Sequence, residues 1–123
     1  MAARRGLNPI YLQDLAESGG EPLVRDVVRT FLDTVPPRVA TLRAALGQGD
    51  HPAAGRAAHS IVSSAAMVGL TEVQEAARAI ELLAAQGGPV PPGSVSALDR
   101  ALADAPTLLN EAMRRAFEGT QAG

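Results

Sequence analysis

The chain has 123 residues, a formal net charge of −2 and no cysteine. This length fits one domain, expected to span residues 1–123 with a core over about residues 7–118. The lack of cysteine excludes disulfides and thiolate metal sites. The arginines are scattered, so the basic patch of a nucleic-acid binder is missing, and no apolar run is long enough to cross a bilayer. The composition therefore predicts a cytoplasmic protein that binds neither nucleic acid nor membrane.

Helical periodicity dominates the first half of the chain. A short leading helix, opened by Asn8 and Pro9, is predicted to end at Gly19-Gly20. A much longer helix follows, and Pro36 and Pro37 inside it predict a kink or a break. Its apolar residues recur at intervals of three and four: Val24, Val28, Phe31, Val35, Val39, Leu42 and Leu46.

Three further helices are predicted in the second half. Asp50 can cap one that runs to about Val68. Thr71 and Gln74 form a capping-box pattern for the next, which is predicted to end at Gly87-Gly88. A loop over residues 87–94 leads to a final helix whose apolar stripe runs from 95 to 116. Four substantial amphipathic helices with short connections predict an all-α, antiparallel up-down four-helix bundle, with the short additional N-terminal helix across one end.

His59 is the residue of chemical interest in the third helix. Ala57, Ile61, Ala65 and Val68 lie at helical spacing and form its predicted core side. His59 lies about 200° around the axis from Ala57 at ~100° per residue, which predicts an exposed imidazole. The residues expected to share its face are mostly small, so another protein can approach the ring; they are Gly55, Arg56, Val62, Ser63 and Ala66.

The segment around His59 resembles a family motif. Residues 58–69 read Ala-His-Ser-Ile-Val-Ser-Ser-Ala-Ala-Met-Val-Gly. Histidine-containing phosphotransfer (HPt) domains have a similar motif in the same register, approximately Ala-His-x-Leu-Lys-Gly-Ser-Ser/Ala-x-x-Leu/Ile-Gly. Downstream, Val73 and the pair Ile80-Glu81 match an apolar position and a Leu-Glu pair of the family. With the order of the helices, the resemblance covers roughly residues 7–117.

The resemblance implies a phosphocarrier of a two-component phosphorelay. In that role His59 accepts a phosphoryl group from a receiver-domain aspartate and passes it on. An unperturbed imidazole is mostly neutral at pH 7 and is nucleophilic without a neighbouring base. The expected partners are a response-regulator receiver domain, a hybrid histidine kinase, or both. The chain is expected to be a monomer without a cofactor or catalytic machinery of its own, since the receiver supplies Mg²⁺, the phospho-aspartate and a lysine.

Two residues depart from the family motif. The usual lysine three residues after the histidine is Val62 here, and the usual glycine after that is Ser63. The resemblance gives that lysine the task of offsetting phosphoryl charge, which an aliphatic side chain cannot do. Arg56, one turn before His59, can replace it. The alternative is a degenerate HPt-like module that docks a receiver or kinase without phosphotransfer.

The remaining candidate residues favour structural interpretations. His51 is predicted to be a loop or first-turn residue without a role, and Glu81 a surface or helix-pairing residue. Met67 and Met113 are predicted to fill the core. A third function, a bundle that carries a metal or cofactor, is disfavoured because no inward-facing Glu-x-x-His pattern occurs.

Overall fold

Four helices that pack in a ring make up the part of the chain that the structure describes. The computed structural model describes residues 6–122, so residues 1–5 and 123 of the predicted domain lie outside the described residues. The helices are α1 (Ile10–Gly47), α2 (His51–Val68), α3 (Thr71–Ala85) and α4 (Pro92–Ala122). Each helix packs against its neighbours along the chain, and α4 also packs against α1. The ring confirms the predicted all-α, up-down four-helix bundle.

Helix α1 consists of two segments that meet at Gly20. Gly20 has φ 72° and ψ −168°, a conformation that side chains other than glycine rarely allow. The predicted stop at Gly19-Gly20 is therefore confirmed. Gly20 is the one residue with non-helical dihedrals inside α1, so the helix continues without a break through Pro36 and Pro37. Both prolines are exposed, and water can satisfy the carbonyl groups that lose a backbone donor.

The leading segment of α1 packs across one end of the bundle, as predicted. The backbone N–H of Asn8 donates to the carbonyl of Gly69 in the α2–α3 connection, at 2.8 Å. Leu12 buries its side chain in the core. Gly69 ends α2 with φ 78°, and a Cβ at this residue would collide with the Asn8 carbonyl and contact the Tyr11 ring. The close contact between the α2–α3 connection and Asn8 therefore requires glycine at residue 69.

Helix α2 packs on both α1 and α3. Its first turn is capped by the Asp50 carboxylate, which accepts a hydrogen bond from the Ala53 backbone at 3.1 Å, as predicted. Four of its seven buried residues are alanine, which permits close approach of both neighbours; the seven are Ala54, Ala57, Ala58, Ile61, Val62, Ala65 and Val68. Within residues 6–117 no polar or charged residue is buried, so every ionisable group lies at the surface of the bundle.

Three local predictions are wrong. Thr71 is the first residue of α3 and not its cap, because the chain turns directly from Gly69 through the buried Leu70 into the helix. Helix α4 begins at Pro92, before the predicted Val95, since proline is well tolerated in a first helical turn. Met67 is 58% exposed and does not fill the core. None of the described helices is both long and apolar enough to span a membrane.

The tight α2–α3 connection generates a stability prediction. We expect Gly69→Ala to lower Tm by at least about 5 °C, because the left-handed conformation and the contact with Asn8 both oppose a Cβ. Gly47→Ala is the matched control, since a Cβ there meets nothing within 4 Å. Thermal unfolding followed by circular dichroism measures both. Equal Tm values for the two variants would show that the connection adapts to a side chain.

Candidate functional site

His59 projects from the middle of α2 into solvent. Its side chain is 66% exposed. The predicted core side of α2 is buried, with Ile61, Ala65 and Val68 each 0% exposed. The predicted exposure of the imidazole is therefore confirmed, and it follows from the helical period together with the burial of the opposite face.

The imidazole of His59 makes one hydrogen bond, to a carboxylate on α3. Nδ1 of His59 lies 2.8 Å from Oε2 of Glu81, whose side chain is 27% exposed. An ionised carboxylate only accepts hydrogen bonds, so this contact assigns a proton to Nδ1. In the neutral ring the lone pair then belongs to Nε2, the nitrogen away from α3. The pairing therefore fixes both the tautomer and the direction of the nucleophilic atom.

Helix α3 places Glu81 at the edge of its buried face. Val73, Ala77, Ile80 and Ala84 bury that face against the core. Glu81 follows Ile80 directly and reaches over the boundary with α2. Glu81 is not among the site residues predicted from the sequence. The sequence signal for Glu81 was the Ile80-Glu81 pair of the family resemblance. No spacing within α2 could reveal that His59 has a partner on another helix.

The other predicted site residues fall into three environments. Arg56 and Ser63 are exposed, and Gly55 and Ala66 are half-buried. Val62 is only 6% exposed and belongs to the core, so its prediction as a partner-facing residue is wrong. Val62 lies one turn after the fully buried Ala58, and the buried face of α2 extends toward it because α2 packs on α3 as well as on α1.

An open groove of about 820 Å³ runs from His59 along the boundary between α2 and α3. We call it the α2–α3 groove. One end carries His59 and Glu81, the middle is formed by small residues of both helices, and the far end carries His51; the small residues are Gly55, Ala84 and Ala85. Nε2 of His51 lies 3.0 Å from the carbonyl oxygen of Gly88. His51 therefore connects the α3–α4 connection to the start of α2. The sequence predicted no role for His51 and did not include this contact.

The charges at the site are few. Arg56 lines the α2–α3 groove and pairs with no carboxylate among residues 6–117. Glu81 already accepts from His59. No group of three or more acidic or histidine side chains in the described part of the chain is arranged to hold a metal ion. The site thus offers one exposed ring nitrogen, one cation and small neighbours.

Comparisons with known proteins agree with this fold. The family model of the Hpt domain matches residues 26–116. A solved structure, that of histidine-containing phosphotransfer protein B (HptB) from Pseudomonas aeruginosa PAO1, superposes with a TM-score of 0.81 at 23% identity and covers 90% of this chain and 96% of its own. A comparison with curated proteins finds no match. The family model spans well over half of the chain and includes His59 and Glu81, and the chain belongs to the Hpt domain family.

Proposed function

We propose that Nε2 of His59 accepts a phosphoryl group from an aspartate of a receiver domain and that the protein passes this group to a second receiver. The observation that carries the proposal is the hydrogen bond from Nδ1 to Glu81, which leaves Nε2 as the free nucleophile on an exposed ring. In the transfer an N–P bond forms at Nε2 while the P–O bond to the aspartate breaks, and the aspartate leaves as a carboxylate. The reverse exchange discharges His59.

Glu81 acts in this proposal as a positioning residue that also offsets charge. When Nε2 binds phosphorus and Nδ1 keeps its proton, the ring becomes cationic. The Glu81 carboxylate already lies 2.8 Å from that proton and forms a charge-assisted hydrogen bond with the cation. No proton has to move during the transfer. His59 and Glu81 therefore provide the nucleophile and the counter-charge of the ring.

The partner completes the reaction site. Phosphoryl transfer depends mainly on positioning and on neutralising charge over the phosphoryl oxygens. The receiver domain brings the phospho-aspartate, Mg²⁺ and a lysine, and this chain brings no cofactor of its own. Arg56 is the cation on the histidine side, because the residue at the usual lysine position is the buried Val62. The protein is proposed to act as a monomeric phosphocarrier between a hybrid histidine kinase and a response regulator.

A second function is supported by the same burial of Val62. With no cation three residues after His59, the chain can be an HPt-like module that docks a receiver or kinase without accepting phosphate. Binding of a charged receiver with no label on His59 would favour this function.

The first prediction from this function concerns His59 itself. The protein is mixed with each receiver domain of the source organism, charged with radiolabelled acetyl phosphate. We expect acid-labile, base-stable label on the wild type and none on His59→Gln, because glutamine has no nucleophilic ring nitrogen. Peptide mass spectrometry separates His59 from His51, the other histidine of the chain. Label that persists in the His59→Gln variant would overturn the assignment of the site.

The second prediction concerns Glu81. We expect Glu81→Ala to slow phosphotransfer about tenfold, since the ring loses its fixed tautomer and orientation. The transfer rate of Glu81→Gln should lie between those of the wild type and Glu81→Ala, because the amide oxygen can still accept a hydrogen bond from Nδ1. Nitrogen-15 NMR of the imidazole reports the tautomer directly and should show loss of the Nδ1–H form in Glu81→Ala. Glu75→Ala is the control: Glu75 is an exposed carboxylate on the same helix, outside the α2–α3 groove.

The third prediction concerns the charge of Arg56. We expect Arg56→Ala to reduce the rate of transfer about two- to fivefold. The effect is small because solvent screens an exposed charge. Arg56→Lys should restore most of the loss, since lysine keeps the positive charge. The difference in transfer rate between wild type and Arg56→Ala should become smaller as the salt concentration is raised. Arg100→Ala, an exposed arginine on α4, is the control. A loss of the same size for the Arg100 variant would mean that only net charge matters.

A further inference from the structure

A second groove, of about 440 Å³, runs between α1 and α4. Among the described residues, none of α2, the helix that carries His59, lines it. We call it the α1–α4 groove. We propose that it binds an arginine side chain of a partner protein, through backbone carbonyl groups that prolines in both helices leave without a donor. This inference does not depend on the proposed function, because it concerns another face of the bundle.

Each wall of the α1–α4 groove contains a proline in the interior of a helix. Pro36 lines it on α1 and Pro106 lines it on α4. Proline has no N–H, so the carbonyl four residues earlier loses its helical donor. These carbonyls belong to Leu32 and Leu102, and both leucines also line the groove. A hydrogen-bond acceptor therefore lies on each wall, on the strip of helix between the leucine and the proline.

The two prolines have no evident task in shaping the helices. Gly20 is the one residue of α1 with non-helical dihedrals, so Pro36 does not end the helix, and α4 continues past Pro106 as well. Proline in the interior of a helix destabilises the helix strongly relative to alanine. Both prolines are exposed, so water satisfies the two carbonyls until a ligand displaces it. Their presence in one groove points to a use for the carbonyls.

The remaining surface of the α1–α4 groove is apolar apart from one carboxylate. Phe31, Val35 and Val39 contribute the apolar surface on α1. Asp99 is the one charged residue among the described residues that line the groove. A carbonyl and an ionised carboxylate only accept hydrogen bonds. The ligand that matches this groove therefore carries several donors, a positive charge and an apolar stem.

An arginine side chain has all three properties. Its aliphatic stem can lie along the apolar walls, and its guanidinium offers five N–H donors for acceptors on both walls. A lysine ammonium is more strongly hydrated and loses more on leaving water. The chain itself shows this pairing, because the Arg43 guanidinium donates to Oδ2 of Asp99. The charge and the free carbonyls thus both favour an arginine of the partner.

A matched set of proline substitutions tests the groove. Pro36→Ala and Pro106→Ala restore the N–H groups that bond the carbonyls of Leu32 and Leu102 within the helices. Pro37→Ala is the control, since Pro37 is exposed in the same helix and does not line the groove. All three substitutions should raise Tm, because proline destabilises a helix interior. A loss of binding in these variants therefore cannot come from unfolding.

The probe is the peptide acetyl-Leu-Arg-Leu-amide, titrated into the whole chain and followed by backbone NMR. We expect saturable shifts at residues 32–39 and 99–105 with a Kd of about 1 mM, as for a short flexible ligand. Pro36→Ala and Pro106→Ala should each raise Kd at least about threefold, and Pro37→Ala should leave it within about 1.5-fold, because one hydrogen bond is lost in each groove variant. The same peptide with norleucine in place of arginine should bind at least about tenfold more weakly, since norleucine has no donor.

Four outcomes would overturn the proposal. They are no saturable shift in the groove at about 10 mM peptide, equal Kd values for the arginine and norleucine peptides, a loss in Pro37→Ala as large as in the groove variants, and equal losses for both peptides. The last would mean that the proline rings act only as apolar contacts. Shifts of the same residues on concentrating the protein alone, with a dimer in sedimentation, would assign the groove to a second copy of this chain and would also overturn it. None of these outcomes bears on phosphotransfer to His59.

Discussion

The packing of α2 between α1 and α3 is the constraint on which the site depends. A helix that contacts two neighbours buries a wide arc of its surface, and on α2 this arc includes Ala54, Ala58 and Val62 as well as the side centred on Ile61. Only a narrow strip remains for solvent. His59 lies within that strip, close enough to α3 for its ring to reach Glu81. The exposure of the nucleophile and its hydrogen bond therefore both follow from the way in which one helix is packed.

The same packing explains how charge is arranged around His59. A lysine at residue 62 would begin inside the core, since that residue is 6% exposed. Valine there adds to the core, and the cation near the ring comes from Arg56, one turn earlier on the exposed strip. The anion comes from another helix. The site thus takes its opposite charges from two helices, the cation from α2 and the anion from α3.

The sequence predicted what depends on neighbours along the chain and missed what depends on neighbours in space. The order of the helices, the stop at Gly20, the cap at Asp50 and the exposure of His59 all follow from local patterns. The contact with Glu81 and the burial of Val62 depend on the angle at which α2 meets α3, which no periodicity within one helix fixes. The Ile80-Glu81 pair of the family resemblance marked the right residue without revealing its contact.

The bundle places an open groove directly beside the pair formed by His59 and Glu81. In the proposed function these two residues determine which nitrogen reacts, and within residues 6–117 the core beneath them contains no polar side chain. Small side chains line the middle of the groove, among them Gly55 and Ala85. Gly55 lies one turn before His59 and Ala85 one turn after Glu81, so both residues neighbour the pair on their own helices. A larger side chain at either residue therefore changes the shape of the groove and the surroundings of the pair together.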